Sequence, residues 1–311
     1  MFVGGDGATR YRYPDGIESV WSTSRPALPD EVQDALPGFL KKRLDIAAQN
    51  KAVVENRELI RIDDYSFPLR NPDDAPWPIR LHVSKTFYHQ TLATNYSSEE
   101  LLPGGFCLRE KYCTDVGDLK GSILANALSV NLSVVTGDNK ILMAIRGRRV
   151  AVNPSRGPGY SPAISGTAQS IDLDQNGRYS PFLTAIREAG EEVRSQQPKV
   201  DQITFFGLAR TMRWQFPFLF GELRLPDLSA VQVQGLLPRD HWESAGFVVV
   251  PFRPEAIIDF VRRVYRETDR NNITHSTIYA ALFSILQSVR YEYPDVWTDM
   301  VKELAEVQAR D

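Results

Sequence analysis

The sequence predicts an α/β fold. Three features indicate it: a β-hairpin near the middle of the chain, an amphipathic helix that follows this hairpin after a long loop, and further strands beyond that helix. The chain has 311 residues, of which 42% are hydrophobic and 24% charged, as in ordinary globular proteins. Because 311 residues are many for one compact unit, we expect either a core domain with sizeable additions or two domains.

Residues 1–124 are predicted to form an N-terminal lobe. Gly, Pro and Asp are frequent up to about residue 35, so this stretch is expected to be irregular, and Pro37–Asn50 predicts a short helix. Alternation of apolar and polar residues then predicts strands at Leu59–Ile62 and Ile79–Val83, which a loop rich in Pro and Asp separates.

Residues 125–255 are predicted to form the central domain, which begins with the hairpin. Leu132–Thr136 and Ile141–Arg146 are strand-like, and the Gly-Asp-Asn-Lys segment between them favours a turn. The segment from Asn153 to Ser180 is rich in Gly, Pro, Ser and Asp. It is too long for a simple connector, so we expect an irregular loop that is either functional or disordered.

A helix is predicted to follow this loop. Ser180 is a favoured N-cap residue, and Pro181 suits the first helical position. The next apolar residues recur at helical spacing and form one stripe: Phe182, Ala185, Ile186, Ala189 and Val193. Three later segments of the central domain are predicted to be strands: Ile203–Leu208, Pro217–Leu225 and Phe247–Pro251.

Residues 256–311 are predicted to be a helical region packed on the core. Together with the residues just before it, the region reads as three helices: Pro254–Glu267, His275–Glu292 and Asp295–Ala309.

Composition and charge exclude several classes of protein. A net charge of −3 gives no electrostatic case for nucleic-acid binding. The two cysteines, Cys107 and Cys113, are too few for a disulfide framework, so we expect free thiols in a reducing compartment. No secretory signal is recognised, and the longest apolar runs, such as Phe247–Phe252, are far shorter than a membrane span. We therefore expect a cytoplasmic protein without a membrane partner.

Three carboxylates stand close together on the predicted helix. Glu188, Glu191 and Glu192 have the spacing i, i+3 and i+4, which places them within an arc of about 100°. One interpretation is a solvated helix face, which tolerates the weak repulsion between like charges. The other is a site for a hard divalent cation, with Arg187 holding the Glu191 carboxylate in place.

The segment Arg187-Glu188-Ala189-Gly190-Glu191-Glu192 resembles the second half of the Nudix hydrolase signature, Gly-x5-Glu-x7-Arg-Glu-U-x-Glu-Glu-x-Gly-U, where U is a bulky aliphatic residue. The resemblance covers roughly residues 125–255, because the hairpin before the segment and the strands after it are also similar to the family. It implies an α/β/α sandwich with a mixed sheet, and Mg²⁺ (or Mn²⁺) bound by Glu188, Glu191 and Glu192.

Two positions differ from the signature. Gly166 and Asp172 match Gly-x5-Glu with Asp in place of Glu, but fourteen residues instead of seven separate Asp172 from Arg187. The upstream Glu is therefore either replaced by Asp172 or lost. Arg194 stands where the signature has a glycine. Since that glycine normally ends the helix, we expect the helix to continue toward Pro198.

The resemblance implies hydrolysis of a phosphoanhydride bond in a nucleoside diphosphate linked to another group. We expect Glu188, Glu191, Glu192 and Arg187 to serve catalysis. One of the motif glutamates or Glu243, on the loop before the last strand, would be the base. Glu222 is a weaker candidate, for which a plain strand residue is the favoured interpretation. A solvent-exposed carboxylate is the alternative interpretation of Glu243. Three residues are the candidates for substrate binding: Arg146, Arg148 and Gly166. For the two arginines, a solvated basic turn is the alternative interpretation.

Two functions are consistent with this sequence. The first is a Mg²⁺-dependent pyrophosphohydrolase that acts on a small nucleotide-like molecule. The second is a catalytically impaired protein of the same fold that binds such a ligand as a sensor. An assembly protein is a third interpretation, which rests on the terminal regions alone. We expect the N-terminal lobe either to cover the substrate cleft or to form a contact in a homodimer.

Overall fold

The computed structural model describes residues 2–4, 9–23, 25–68, 78–146, 159–193, 198–236, 244–267 and 276–309. The strands in these ranges are β1 Phe2–Gly4, β2 Tyr11–Arg12, β3 Ile17–Trp21, β4 Glu58–Ser66, β5 Ile79–Phe87, β6 Ser129–Thr136, β7 Lys140–Arg146, β8 Gly159–Pro162, β9 Ile164–Thr167, β10 Ile203–Arg210, β11 Pro217–Leu225 and β12 Ser244–Pro251. The α-helices are α1 Asp30–Gln49, α2 Tyr88–Ala93, α3 Leu108–Tyr112, α4 Pro181–Glu192, α5 Ala230–Gly235, α6 Pro254–Glu267, α7 Ser276–Glu292 and α8 Pro294–Ala309.

The larger sheet of the described residues has nine strands and is mixed. Its main order is β1-β10-β11-β6-β7-β12, while β2 pairs with β10, β8 with β7 and β9 with β6. Strands β6 and β11 are parallel, and the other neighbours are antiparallel. The predicted α/β fold is thereby confirmed.

Helices cover both faces of this sheet. The apolar stripe of α4 packs in one hydrophobic cluster with Leu132 and Val134 of β6. The adjacent Val135 belongs to a second cluster, which α6 and α7 complete with residues such as Ile257 and Ile285. Successive strand residues point to opposite faces, so one strand serves both layers. Each aliphatic side chain buried in this way stabilises the fold by about 1.5–3 kcal/mol.

A smaller sheet, with the order β3-β5-β4, lies in the N-terminal region. It is joined to the rest of the molecule through β4, where Ile60 N donates to Ala168 O at 2.9 Å and Leu128 N donates to Ile60 O at 2.9 Å. Apolar side chains of all three of its strands belong to the same cluster as the stripe of α4. The smaller sheet and the helix therefore share one hydrophobic core.

Several predicted elements are confirmed, among them the hairpin, the helix after Ser180 and the three C-terminal helices. The prediction of irregular structure up to residue 35 was wrong, because β1, β2 and β3 lie there and α1 begins at Asp30. Asp30 and Glu31 occupy the first turn of α1, where the helix dipole favours acidic residues. Both cysteines are free and buried, as expected.

Two further expectations about the chain around α4 were wrong. Residues 159–167, within the expected loop, form β8 and β9 because they pair with β7 and β6. Helix α4 ends at Glu192 with Val193 as its C-cap residue, so it does not continue toward Pro198. No helix of the described ranges has both the length and the apolar character needed to cross a membrane.

Candidate functional site

The candidate site lies on α4 where this helix faces β9. Glu188 is buried, with 8% of its surface exposed, whereas Glu191 and Glu192 are half-buried. The apolar stripe of α4 fixes this orientation, because its burial in the core leaves the three carboxylates at the side of the helix. Glu188 adjoins the buried Ala189 and is therefore the most enclosed of the three.

Arg187 is held by a two-point ion pair with Asp172. Its Nε donates to Asp172 Oδ1 at 2.8 Å and its Nη2 donates to Asp172 Oδ2 at 3.0 Å. The Asp172 carboxylate also accepts hydrogen bonds from Thr184 Oγ1 at 2.8 Å and from the backbone N–H of Gln169 at 2.9 Å. Asp172, which stands in place of the upstream glutamate of the signature, is thus bound to Arg187.

The remaining donor of Arg187 points toward the carboxylates. Its Nη1 donates to Glu188 Oε1 at 2.6 Å and lies 3.7 Å from Glu191 Oε2. Burial disfavours the guanidinium charge, but the hydrogen bonds and charges of Asp172 and Glu188 outweigh it and raise the pKa of Arg187. The side chain therefore stays cationic and links both acids.

Glu188 has a strongly perturbed acidity. Burial raises the pKa of Glu188 to about 7, although the charge and the hydrogen bond of Arg187 act in the opposite direction. The nearby negative charges of Glu191 and Asp172 add to the increase. A buried carboxylate of this kind gains from a neighbouring cation, which stabilises its charged form.

Gly166 on β9 gives Glu188 the space that it occupies. A Cβ atom at residue 166 would lie 1.8 Å from the carboxyl carbon of Glu188 and 1.9 Å from its Oε1. Every other amino acid would therefore displace either the carboxylate or the strand. The contact of Gly166 with the substrate stays a prediction, and its close approach to Glu188 also limits the distance between β9 and α4.

Glu192 is oriented by the same strand. The backbone N–H of Ser165 donates to Glu192 Oε2 at 3.0 Å, and Ser165 Oγ donates to Asn131 Oδ1 of β6 at 2.9 Å. Sequence reasoning missed Ser165, Asn131 and Thr184. Thr184 lies one helical turn before Arg187, and this spacing is the only feature of the sequence that could have identified it as a neighbour of the site. The other two come near the helix through strand pairing.

The three glutamates provide oxygen donors of the kind that Mg²⁺ and Mn²⁺ prefer. Among the described residues, however, no three acidic, His or Cys side chains are gathered in an arrangement that could hold a metal ion. Arg187 Nη1 already neutralises Glu188 and approaches Glu191. In the described arrangement the three side chains therefore supply suitable oxygen atoms without forming a metal site.

Among the other candidate residues, Glu222 alone has a side chain that the structure describes. Glu243 and Arg148 lie outside the described residues, as does the side chain of Arg146 at the end of β7. Glu222 accepts hydrogen bonds from Arg224 at 2.8 Å and from Ser288 of α7 at 2.5 Å. Because α7 covers the face of the sheet opposite to α4, Glu222 lies away from this site, and its interpretation as a strand residue is confirmed.

Comparisons with known proteins add little. No family model and no curated protein matches the chain. The chain is similar to a crystal structure of DR0079 from Deinococcus radiodurans, with 18% sequence identity over 44% of this chain and 73% of that one, at a TM-score of 0.29.

Proposed function

We propose that this chain is a Nudix-type, divalent-metal-dependent hydrolase that cleaves a phosphoanhydride bond in a nucleotide-like small molecule. The observation that supports the proposal most is the buried Glu188 carboxylate, enclosed by Gly166 and bound to Arg187. It lies on a helix with two further glutamates at i+3 and i+4, and it has an acidity that a cation would shift.

Each side chain around Glu188 has a proposed role. Glu188, Glu191 and Glu192 would hold Mg²⁺ or Mn²⁺, which when bound neutralises phosphate oxygens and lowers the pKa of a water molecule. Asp172 fixes Arg187, and Arg187 in turn fixes Glu188. Gly166 allows the close approach of strand and carboxylate. We assign the proton acceptor to Glu243 or to one of the motif glutamates.

The proposed substrate is a small molecule in the cytoplasm. Arg146 is the last residue of the hairpin and Arg148 follows it in the sequence. We propose that both arginines bind substrate phosphates through two-point contacts. The net charge of −3 favours a small ligand over nucleic acid as the partner.

A ligand sensor is the second candidate. The observation that favours it is that Arg187 already neutralises Glu188, while the described residues gather no group of three metal ligands. In a sensor the helix would keep its fold and its ion pairs without binding a catalytic metal.

Release of nucleoside monophosphate from a panel of nucleoside diphosphate derivatives, with Mg²⁺ or Mn²⁺, tests the proposal. Wild type is compared with Glu192→Gln and with Glu255→Gln, a control in the first turn of α6. We expect Glu192→Gln to lower the rate by at least about tenfold and the control to leave it unchanged. Unchanged hydrolysis by Glu192→Gln would exclude this site. No hydrolysis by wild type, together with thermal stabilisation by one of the nucleotides, would support the sensor.

A further inference from the structure

Strand β3 contacts the chain directly before α4. Ser19 and Trp21 are two residues apart on this strand, so their side chains lie on the same face. Ser19 Oγ donates to the carbonyl oxygen of Tyr179 at 2.5 Å, and Trp21 Nε1 donates to the carbonyl oxygen of Gly177 at 3.0 Å. Two side chains of the small sheet thus hold the last residues before the helix.

The segment that they hold is an exposed turn followed by the buried Tyr179. Residues 175–178 are exposed, and Gly177 adopts a φ of +70°, which favours glycine. Hydrogen bonds within the turn connect Asp174 with the backbone N–H groups of Asn176 and Arg178. Such exposed turns open easily unless other elements secure them.

Hydrogen bonds continue from this segment to the candidate site. Ser180 N donates to Asp172 O at 3.1 Å, which ties the two ends of the turn together. The Asp172 side chain then binds Arg187, and Arg187 binds Glu188. A displacement of residues 177–180 would therefore move Asp172 and with it the arginine that orients Glu188.

The ring of Tyr13 provides a third contact. It packs edge to face against Phe182 in the first turn of α4, with the ring centroids 5.6 Å apart. Residues 13–21 therefore contact the first turn of α4 as well as the segment before it.

We propose that Ser19 and Trp21 are positioning residues that form a clamp on residues 177–180 and thereby hold Asp172, Arg187 and Glu188 in register for metal binding. The claim that the clamp supports metal binding rests on the proposed function. The clamp itself rests on the contacts of β3.

Amide hydrogen exchange tests the clamp without any substrate. The variants Ser19→Ala and Trp21→Phe each remove one donor, and Val20→Ala is the control because Val20 lies on the opposite face of the same strand. We expect the amides of Gly177, Arg178 and Ser180 to exchange about fivefold faster for each lost hydrogen bond. Ser19→Thr retains the hydroxyl group and should exchange like wild type.

Mn²⁺ titration by calorimetry of the same variants tests the positioning role. We expect Ser19→Ala and Trp21→Phe to bind Mn²⁺ several-fold more weakly, while Val20→Ala and Ser19→Thr bind it like wild type, at a temperature where urea unfolding shows that all four variants are folded. Exchange rates equal to those of Val20→Ala would overturn the clamp. Faster exchange with unchanged Mn²⁺ affinity would show that the contacts are structural only. If wild type bound no Mn²⁺, the proposed function would fail, and the exchange rates would still decide on the clamp.

Discussion

Asp172 and Arg187 are fifteen residues apart in the chain and form a partly buried ion pair with two parallel hydrogen bonds, at 2.8 and 3.0 Å. The pair spans the turn before α4 and connects it with the side of the helix that carries the glutamates. Paired bonds of this geometry fix both the distance and the orientation of a guanidinium group. The position of Glu188, which accepts from the same arginine, therefore depends on Asp172.

Replacement of Asp172 by Asn is expected to destabilise the protein by about 3 kcal/mol, because it leaves the buried charge of Arg187 without its main partner. Urea unfolding measures the change in free energy. Asp45→Asn, on the exposed side of α1, is the control and should change it by less than about 0.5 kcal/mol. Equal stability of the two variants would show that the ion pair contributes nothing to the fold.

Two glycine replacements are expected to have opposite effects. Gly166→Ala places a Cβ atom on the Glu188 carboxylate and should cost about 1–3 kcal/mol. Gly190→Ala places it in open space on α4 and should stabilise the helix by about 0.5–1 kcal/mol. Thermal unfolding of both variants checks the signs. A Gly166→Ala protein as stable as wild type would contradict the close approach of β9 and α4.

Addition and removal of metal are expected to change stability in opposite directions. Mn²⁺ at a hundred times its dissociation constant should stabilise the protein by about 2.7 kcal/mol, because it binds the folded chain only. EDTA should reverse the effect. The double variant Glu191→Gln/Glu192→Gln should show no increase in melting temperature with Mn²⁺. An equal increase in that variant would place the metal elsewhere.

Replacement of the buried Arg210 by lysine is expected to lower the stability of the protein. Its side chain is fully buried, and its donors bind the carbonyl oxygens of Gln215, Val116 and Asp118 as well as side-chain oxygens of Ser122 and Asn126. Lysine has fewer donors and leaves several buried acceptors unpaired, which should cost about 3 kcal/mol.

Urea unfolding of Arg210→Lys measures this loss. Arg253→Lys, at an exposed position, serves as the control. A difference below about 0.5 kcal/mol between the two variants would show that neighbouring groups can replace the lost hydrogen bonds.

Local patterns in the sequence determined much of the fold. The stripe from Phe182 to Val193 predicted the buried face of α4, and the turn residues between Thr136 and Ile141 predicted the hairpin. The spacing of Glu188, Glu191 and Glu192 predicted their common side of the helix. These features depend only on residues within a few positions of one another, so periodicity reveals them.

Tertiary structure alone decided how the site is built. Strand β9 forms because it pairs with β6, and that pairing brings Gly166 against Glu188 and Ser165 against Glu192. The contacts of Ser19 and Trp21 with residues 177–179 join positions about 160 residues apart. Contacts at such separation depend on how the sheets and α4 pack around their shared core, and no local pattern in the sequence records that packing.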